Sequence, residues 1–302
     1  MKNYKLLSLI VLFSFFTTLS LFAQDNDAEQ DTTYWETSGF VNINFNQVSY
    51  SQWAGGGDNS LSLTGIANFK AEYRRERIEW KNFLELSYGI LRTDQDLRKN
   101  EDRIHVISQL GYDINDKFSY NLLFDFKTQF TKGFNYPNDS VAISDFMSPA
   151  SVLLALGILY EPAPFFSVSL SPAAGKATLV LNDDIDETIY GLDEGENVRY
   201  EFGASLVATF DADIFENVNL RSRLELFNNY TNPVVENRGN IDVNWESRLN
   251  MKINSFLTAS ILAHLLYDHD IDVPKVDDDG NDYMGKGLQF KQSLGIGLSF
   301  SF

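Results

Sequence analysis

From residue 34 to the C-terminus the chain alternates apolar and polar side chains over runs of roughly 13–16 residues. A period of two places successive side chains on opposite faces of an extended strand. Leu288, Phe290, Leu294, Ile296, Leu298, Phe300 and Phe302 form one face of the last run, interrupted only by Gln292. Gln289, Lys291, Ser293, Gly295, Gly297, Ser299 and Ser301 form the other. Val198 to Phe210 and Ile241 to Ile253 repeat the pattern. Strands of soluble sheets average only about 5–6 residues, whereas crossing a bilayer takes ~9–11. Lipid tolerates only structures whose backbone groups are all paired internally, so strands of this length and pattern imply a closed barrel, apolar outside and polar inside.

Runs of this kind predict strands near 34–48, 60–74, 77–92, 102–114, 117–131, 150–161, 164–181, 197–211, 217–231, 240–254, 256–268 and 286–302. The fold class is therefore all-β, a transmembrane antiparallel β-barrel of about twelve strands, an even number as closure of a single bacterial chain requires. Short connections at Arg75-Glu76, Asn115-Asp116, Pro162-Ala163, Ala212 to Glu216 and Asn254-Ser255 alternate with long ones at 49–59, 93–101, 132–149, 182–196, 232–239 and 269–285. Short periplasmic turns and long external loops are usual for such barrels, so both termini are expected in the periplasm. Trp35, Tyr73, Trp80, Tyr112, Phe118, Tyr120, Tyr160 and Phe210 fall on the lipid face near one end, and Tyr88, Tyr230, Trp245 and Tyr267 near the other. Two interfacial aromatic girdles would have this distribution.

Lys2 and Lys5 precede an apolar run from Leu6 to Leu21, and Ala23-Gln24 offers a small residue for cleavage, so residues 1–23 read as a signal peptide. Residues 24–33 then form a short polar segment before the barrel at 34–302. Cleavage leaves 22 basic and 42 acidic residues, a net charge of −20, which disfavours nucleic acid as a partner. The chain has no cysteine, which removes disulfides, thiolate metal sites, thiol nucleophiles and lipoprotein anchoring.

Ser51-Gln52-Trp53-Ala54-Gly55-Gly56-Gly57, Lys127-Thr128-Gln129-Phe130, Ile143 to Ala150 and Leu170-Ser171-Pro172 occur in order. Together they resemble a Bacteroidota outer-membrane barrel family known only as a domain of unknown function, over nearly the whole mature chain. The resemblance implies a barrel and supplies no activity, substrate or catalytic residue. The C-terminal pattern ending in Phe300 and Phe302 resembles the signal that the barrel-assembly machinery reads during biogenesis.

Inward positions carry charges of both signs: Lys70, Glu72, Arg74, Glu85, Arg103, Asp125, Lys127, Arg199, Glu201, Arg221, Arg223, Glu225, Asp242, Glu246, Arg248 and Lys252. A selectivity ring, in which Arg221 and Arg223 face acidic groups, is one reading. A ladder of ion pairs filling a narrow barrel is the plainer one, since twelve strands enclose little space. His105 and His264 also point inward, where a network role is the default. His269, in Asp268-His269-Asp270 at the outer end of a strand, invites comparison with the water-activating Asp–His pair of a rim hydrolase; that constellation needs a second acidic pair on the opposite wall, which Asp-rich loops supply by chance, so a rim hydrolase is the least favoured reading and no enzyme activity is expected. Asp277, Asp279 and Asp282 offer carboxylates around Gly280, a weak Ca²⁺ candidate without the spaced ligand series of an EF-hand; no metal or other cofactor is otherwise expected. Segment 132–149 carries Phe134, Tyr136 and Phe146, and the strand after it has small or apolar inward residues, Ser151, Leu153, Ala155, Gly157 and Leu159. An inward-folded constriction loop packed on that wall would account for both. The expected function is a porin-like channel, passive or ligand-selective, in the outer membrane. The alternative is a non-conducting barrel serving as scaffold or accessory subunit of an envelope complex. The small solute or envelope protein partner is not specified by these residues.

Overall fold

The computed structural model describes residues 34–49, 59–93, 96–277 and 280–302. The expected signal peptide, residues 24–33 and the motif Ser51–Gly57 lie outside these residues. The chain runs through β1 (Trp35–Val48), β2 (Ser60–Arg75), β3 (Ile78–Thr93), β4 (Leu97–Asn115), β5 (Phe118–Thr128), β6 (Gly133–Phe134), β7 (Ala142–Ser144) and β8 (Ala150–Ala163). It continues through β9 (Phe166–Leu179), β10 (Val198–Phe215), β11 (Val218–Asn229), β12 (Asp242–Lys252), β13 (Leu257–Tyr267), β14 (Asp272–Val276), β15 (Asp282–Lys286) and β16 (Gln289–Ser301). Twelve of these strands close one antiparallel barrel in the order β1-β16-β13-β12-β11-β10-β9-β8-β5-β4-β3-β2. The pairs β6–β7 and β14–β15 are small hairpins within the long connections after β5 and β13.

The alternation places the strands well, and its errors fall at the ends. β4 begins at Leu97 and not near 102, so the connection from β3 is far shorter than expected; β10 runs on to Phe215. The turns therefore fall at Pro164-Phe165 and Glu216-Asn217, not at 162–163 and 212–216. Glu76 and Asn217 hold φ of 53° and 65° in their two-residue turns, a left-handed conformation that Asn tolerates better than most residues.

The outside of the barrel is apolar. Ile43, Leu63, Leu110, Leu154, Leu170, Ile261, Leu294 and Leu298 are all exposed large hydrophobics. In water such a surface would bring every barrel together; in lipid it is the solvated face. Several polar side chains on this face are paired. Trp80 Nε1 donates to Ser108 Oγ at 2.8 Å, which donates to Asn82 Oδ1 at 2.8 Å. Trp245 Nε1 donates to Ser222 Oγ at 2.9 Å. Aromatic clusters mark the two ends. Trp35 lies 5.3 and 5.6 Å from Tyr73 and Trp80, and Phe118 stacks on Tyr160 at 4.7 Å, at the short-turn end. Tyr88–Phe130 and Phe202–Tyr230, at 6.3 and 6.4 Å, lie at the long-loop end.

One bulge resets the face pattern. Leu156↔Ala173 is followed by Ile158↔Leu170, so β9 holds one residue more than β8 around Pro172. Pro is tolerated in a sheet at such a site because it has no N–H to offer the ladder. A Cβ on Gly157 would lie 2.0 Å from the Leu170 carbonyl oxygen, so only glycine fits beside the bulge. Past it, the inward set changes from Ser167, Ser169 and Ser171 to Ala174, Lys176 and Thr178.

Ile261 lies midway along β13, outward and 41% exposed, while Ser260 beside it lines a lumen cavity. Ile261→Arg should impair assembly by about 2–4 kcal/mol and Ser260→Arg by much less. The measurement is the fraction of heat-modifiable protein in SDS gels, and equal damage from both variants would mean the faces are assigned the wrong way round.

Candidate functional site: a charged layer across the lumen

Inward residues of β3, β4, β5, β11 and β12 meet across the barrel. Asp125 on β5 is fully buried and holds three partners. His105 Nε2 is 3.1 Å from both its oxygens, Arg223 Nη2 donates at 2.9 Å, and Lys127 Nζ lies at 3.5 Å. Arg223 and Lys127 also reach Glu225, tying β5 to β11 on the far wall. Arg103 on β4 bonds Glu246 on β12, and Arg248 on β12 returns to Glu85 on β3 at 3.2 Å and to Glu246 at 3.4 Å. Arg103 Nη2 is 3.1 Å from His105 Nδ1. A guanidinium only donates, so Nδ1 accepts and Nε2–H donates to Asp125, which fixes the tautomer. His264 is likewise engaged, with Nε2 2.8 Å from Asn244 Oδ1.

Arg221 differs from its neighbours. The cross-strand carboxylate Asp211 is occupied by Lys70 at 3.6 Å and by Asn219 at 3.1 Å. The Arg221 guanidinium lies over the Phe83 ring, 4.3 Å from its centre, in a cation–π contact. Arg223 thus makes close ion pairs with carboxylates, whereas Arg221 faces Asp211 across the strands without a close pair among the described residues.

A second cluster lies nearer the long loops. Lys176 Nζ sits 3.1 Å from Asp242, 3.5 Å from Glu201 and 3.5 Å from Asp268, and Arg199 bonds Glu201 at 3.2 Å. At the short-turn end Arg74 bonds Glu79 at 2.8 Å and Asp113 at 3.2 Å, while Lys81 bridges Glu79 and Glu161; Glu72 lines the same cavity. Lys252, exposed beside the turn into β13, joins none of these clusters. Lys176 was missed by the sequence reading, since the Pro172 bulge inverts the phase of β9, and Asp268 was read only beside His269 and not as a lumen charge.

The apolar inward wall of β8 is real, but its partner is different. Ala155 packs with Ile107, Leu123, Ala174, Val207 and Phe227, and Leu153 and Phe83 pack against that cluster. These are inward side chains of other strands. Segment 132–149 instead docks on the neighbouring long loop. Ser148 Oγ accepts from the amides of Leu181 and Asn182 at 2.9 and 2.8 Å, and Tyr190 donates to the Ile143 carbonyl at 2.6 Å. Ala142 and Tyr190 pack on Val180, Ile185 and Leu192, and burial there pushes the Tyr190 phenol up to about 12. Phe134 contacts Tyr136, which lies under Arg98 at 4.9 Å, and Phe146 is 56% exposed. None of the three lines a described lumen cavity. The narrowing of the lumen comes from the charged layer.

His269 meets the Tyr267 hydroxyl at 2.9 Å, while Asp268 turns to Lys176 and Asp270 to Asn232, so the imidazole is not aligned by a carboxylate. His105, Asp125 and Glu225 bring donor atoms within 4.8 Å of one another, as a metal site would. Lys127 and Arg223 already occupy those carboxylates. Asp277 accepts from the Asn281 amide at 2.8 Å at the tip of the β14–β15 hairpin, and Asp282 opens β15. Asp279 lies outside the described residues.

Breaking a buried ion network by removing one partner costs about 3–5 kcal/mol, whereas an exposed pair contributes ~0–1 kcal/mol. Asp125→Ala should therefore lower the denaturant midpoint of the refolded barrel strongly. Asp184→Ala, which removes the exposed partner of Lys132, should leave it near wild type. Matching midpoints in the two variants would remove the layer's structural role.

Solved structures with similar strand arrangements include an outer membrane channel from Pseudomonas putida F1, 13% identical with a TM-score of 0.41, covering 93% of this chain and 100% of that one. The translocator domain of the autotransporter NalP from Neisseria meningitidis is 9% identical with a TM-score of 0.34, covering 98% of both chains. Outer membrane phospholipase A from Escherichia coli is 11% identical with a TM-score of 0.32, covering 91% of this chain and 94% of that one. The assignment as a membrane barrel rests on the closed ladder and the apolar exterior, not on these likenesses. No curated protein sequence matches the chain. Residues 45–134 match the family model described as "Protein of unknown function (DUF3078)", a span that includes the motifs at 51–57 and 127–130 and leaves those at 143–150 and 170–172 outside it.

Proposed function

We propose that the protein is a narrow outer-membrane channel whose axial path is restricted by the ion-pair layer, with its short turns and both termini in the periplasm. The supporting observation is a chain of three cavities. A long-loop cavity of about 420 Å³ shares Arg248 with a central one of about 40 Å³. The central one shares Phe83, Ile107, Arg221 and Arg223 with a short-turn cavity of about 610 Å³. A water needs ~10–15 Å³ on this measure, so the centre admits a few waters or a small ion stripped of most of its hydration shell, and no larger solute without rearrangement.

The layer also has a sign. Its carboxylates are Glu85, Asp125, Glu225 and Glu246; its cations are Arg103, Lys127, Arg221, Arg223 and Arg248. The extra positive charge is Arg221, held on Phe83 and offered to the central and short-turn cavities. A low-dielectric wall focuses such a charge, so the constriction favours anions although the chain as a whole is acidic. In biogenesis, Phe300 and Phe302 would present the C-terminal signal to the assembly machinery.

Purified protein in planar bilayers should give small, reproducible conductance steps with a reversal potential leaning toward anions in a salt gradient. Arg248→Ala should raise the step size severalfold, and Arg221→Gln should abolish the anion preference while leaving the steps. Silence of the folded wild type and of Arg248→Ala alike would sink the channel and favour the scaffold reading, in which the cross-lumen pairs simply brace the wall.

A further inference from the structure

The ladder that closes the barrel is the shortest in it. β1 and β16 pair from Phe40↔Ser301 to Phe45↔Ile296. Gly39 and Phe302 extend this seam toward the short-turn end by exchanging backbone hydrogen bonds of 2.7 and 2.9 Å. Toward the long-loop end no further pair joins the two strands among the described residues. Yet β1 continues to Val48 against β2, and β16 reaches back to Gln289 against β13. The hydrogen-bonded wall is therefore broken between Asn46–Val48 and the facing stretch of β16 up to Gly295.

The break lies at the level of lipid. Phe45, Phe290 and Leu294 point outward beside it and are 54, 62 and 68% exposed. Hydrocarbon cannot satisfy the N–H and C=O groups of a strand edge, so an edge at this depth calls for polar groups nearby. The long-loop cavity supplies them. Its lining includes the inward residues Asn44, Asn46, Ser293 and Gly295, and also Phe45 and Leu294 of the lipid face. The unpaired stretch of wall lies against this cavity. The side-chain oxygens of Asn42 and Asn44 are buried there without a hydrogen-bond partner. The same cavity is also lined by the apolar residues Phe40, Ile66, Leu91 and Leu262.

We propose that this cavity opens sideways into the bilayer between β1 and β16 and takes the acyl chain of a membrane amphiphile. The tail packs on Phe40, Ile66, Leu91 and Leu262, and the polar end meets the Asn42, Asn44 and Asn46 amides. The inference does not depend on axial conduction, because the entrance lies above the charged layer.

The chain has no cysteine, so one introduced thiol carries one label. A bimane at Ser293→Cys, or at Asn46→Cys should the first variant fail to fold, sits inside the wall beside the break. In vesicles of phosphatidylcholine brominated along its acyl chains, this label should lose fluorescence to an extent comparable with one at Ile261→Cys on the lipid face. A label at Thr209→Cys, inward in the short-turn cavity, should be spared. In plain phosphatidylcholine vesicles, 11-dansylundecanoic acid should brighten on the wild type and lose that response in Leu262→Gln combined with Ile66→Gln. If the Ser293 label behaves like the Thr209 label, lateral opening is overturned. If the opening is seen but the dansyl probe gives no response, the acyl-chain ligand is overturned. Conductance measured on the same preparations decides the channel reading separately, since neither optical result requires current to flow.

Discussion

A polypeptide in hydrocarbon must pair every backbone N–H and C=O with another part of itself. For strands, the condition is met only when the last one returns to the first. Closure thus depends on β1 and β16, the elements farthest apart in the sequence. The join is built from special residues. A Cβ on Gly39 would lie 2.2 Å from the Phe302 ring, and one on Gly297 would lie 2.4 Å from both the Asn44 amide oxygen and the Ile43 carbonyl. The C-terminal aromatic is therefore seated against a glycine that leaves room for it. Phe302 thereby takes part in closing the seam.

Closure fixes the interior. Twelve strands bring opposite walls close enough for long side chains to meet, and the chain uses arginine and lysine to span the gap. Arg103 to Glu246, Lys127 to Glu225 and Arg248 to Glu85 each connect residues about a hundred or more positions apart in sequence. Such pairs are costly to desolvate and weak as net stabilisers, but they are intolerant of the loss of one partner. They hold the wall in one register, as interleaved charge requires, and they narrow the lumen. The same layer is therefore a brace and a constriction. Whether it passes ions depends on how easily Arg248 and Arg221, which border the adjoining cavities, give way.

Much of this was legible because a barrel in lipid translates sequence into geometry with a period of two. Strand positions, outward aromatics and inward charges follow from parity alone. Parity does not report a bulge, so the extra residue at Pro172 hid Lys176, which gathers Glu201, Asp242 and Asp268. Nor does it report which long side chains meet across the lumen, because that depends on shear and closure. Arg221 looked equivalent to Arg223 two residues away, yet one is neutralised by carboxylates and the other rests on an aromatic ring.

The aromatic segment 132–149 shows the same limit from the loop side. Its composition suggests that it must bury apolar surface, yet Ala142 packs on the buried loop cluster while Ile143 and Phe146 stay exposed. Two surfaces competed for it: the apolar inward wall of β8, and the loop between β9 and β10. The first was already covered by Phe83, Leu123, Val207 and Phe227. With that wall occupied, the segment turns to the surface that offers hydrogen-bond partners. Ser148, Asp145 and Ile143 find them on Leu181, Asn182 and Tyr190. The two long loops thus satisfy each other at the rim.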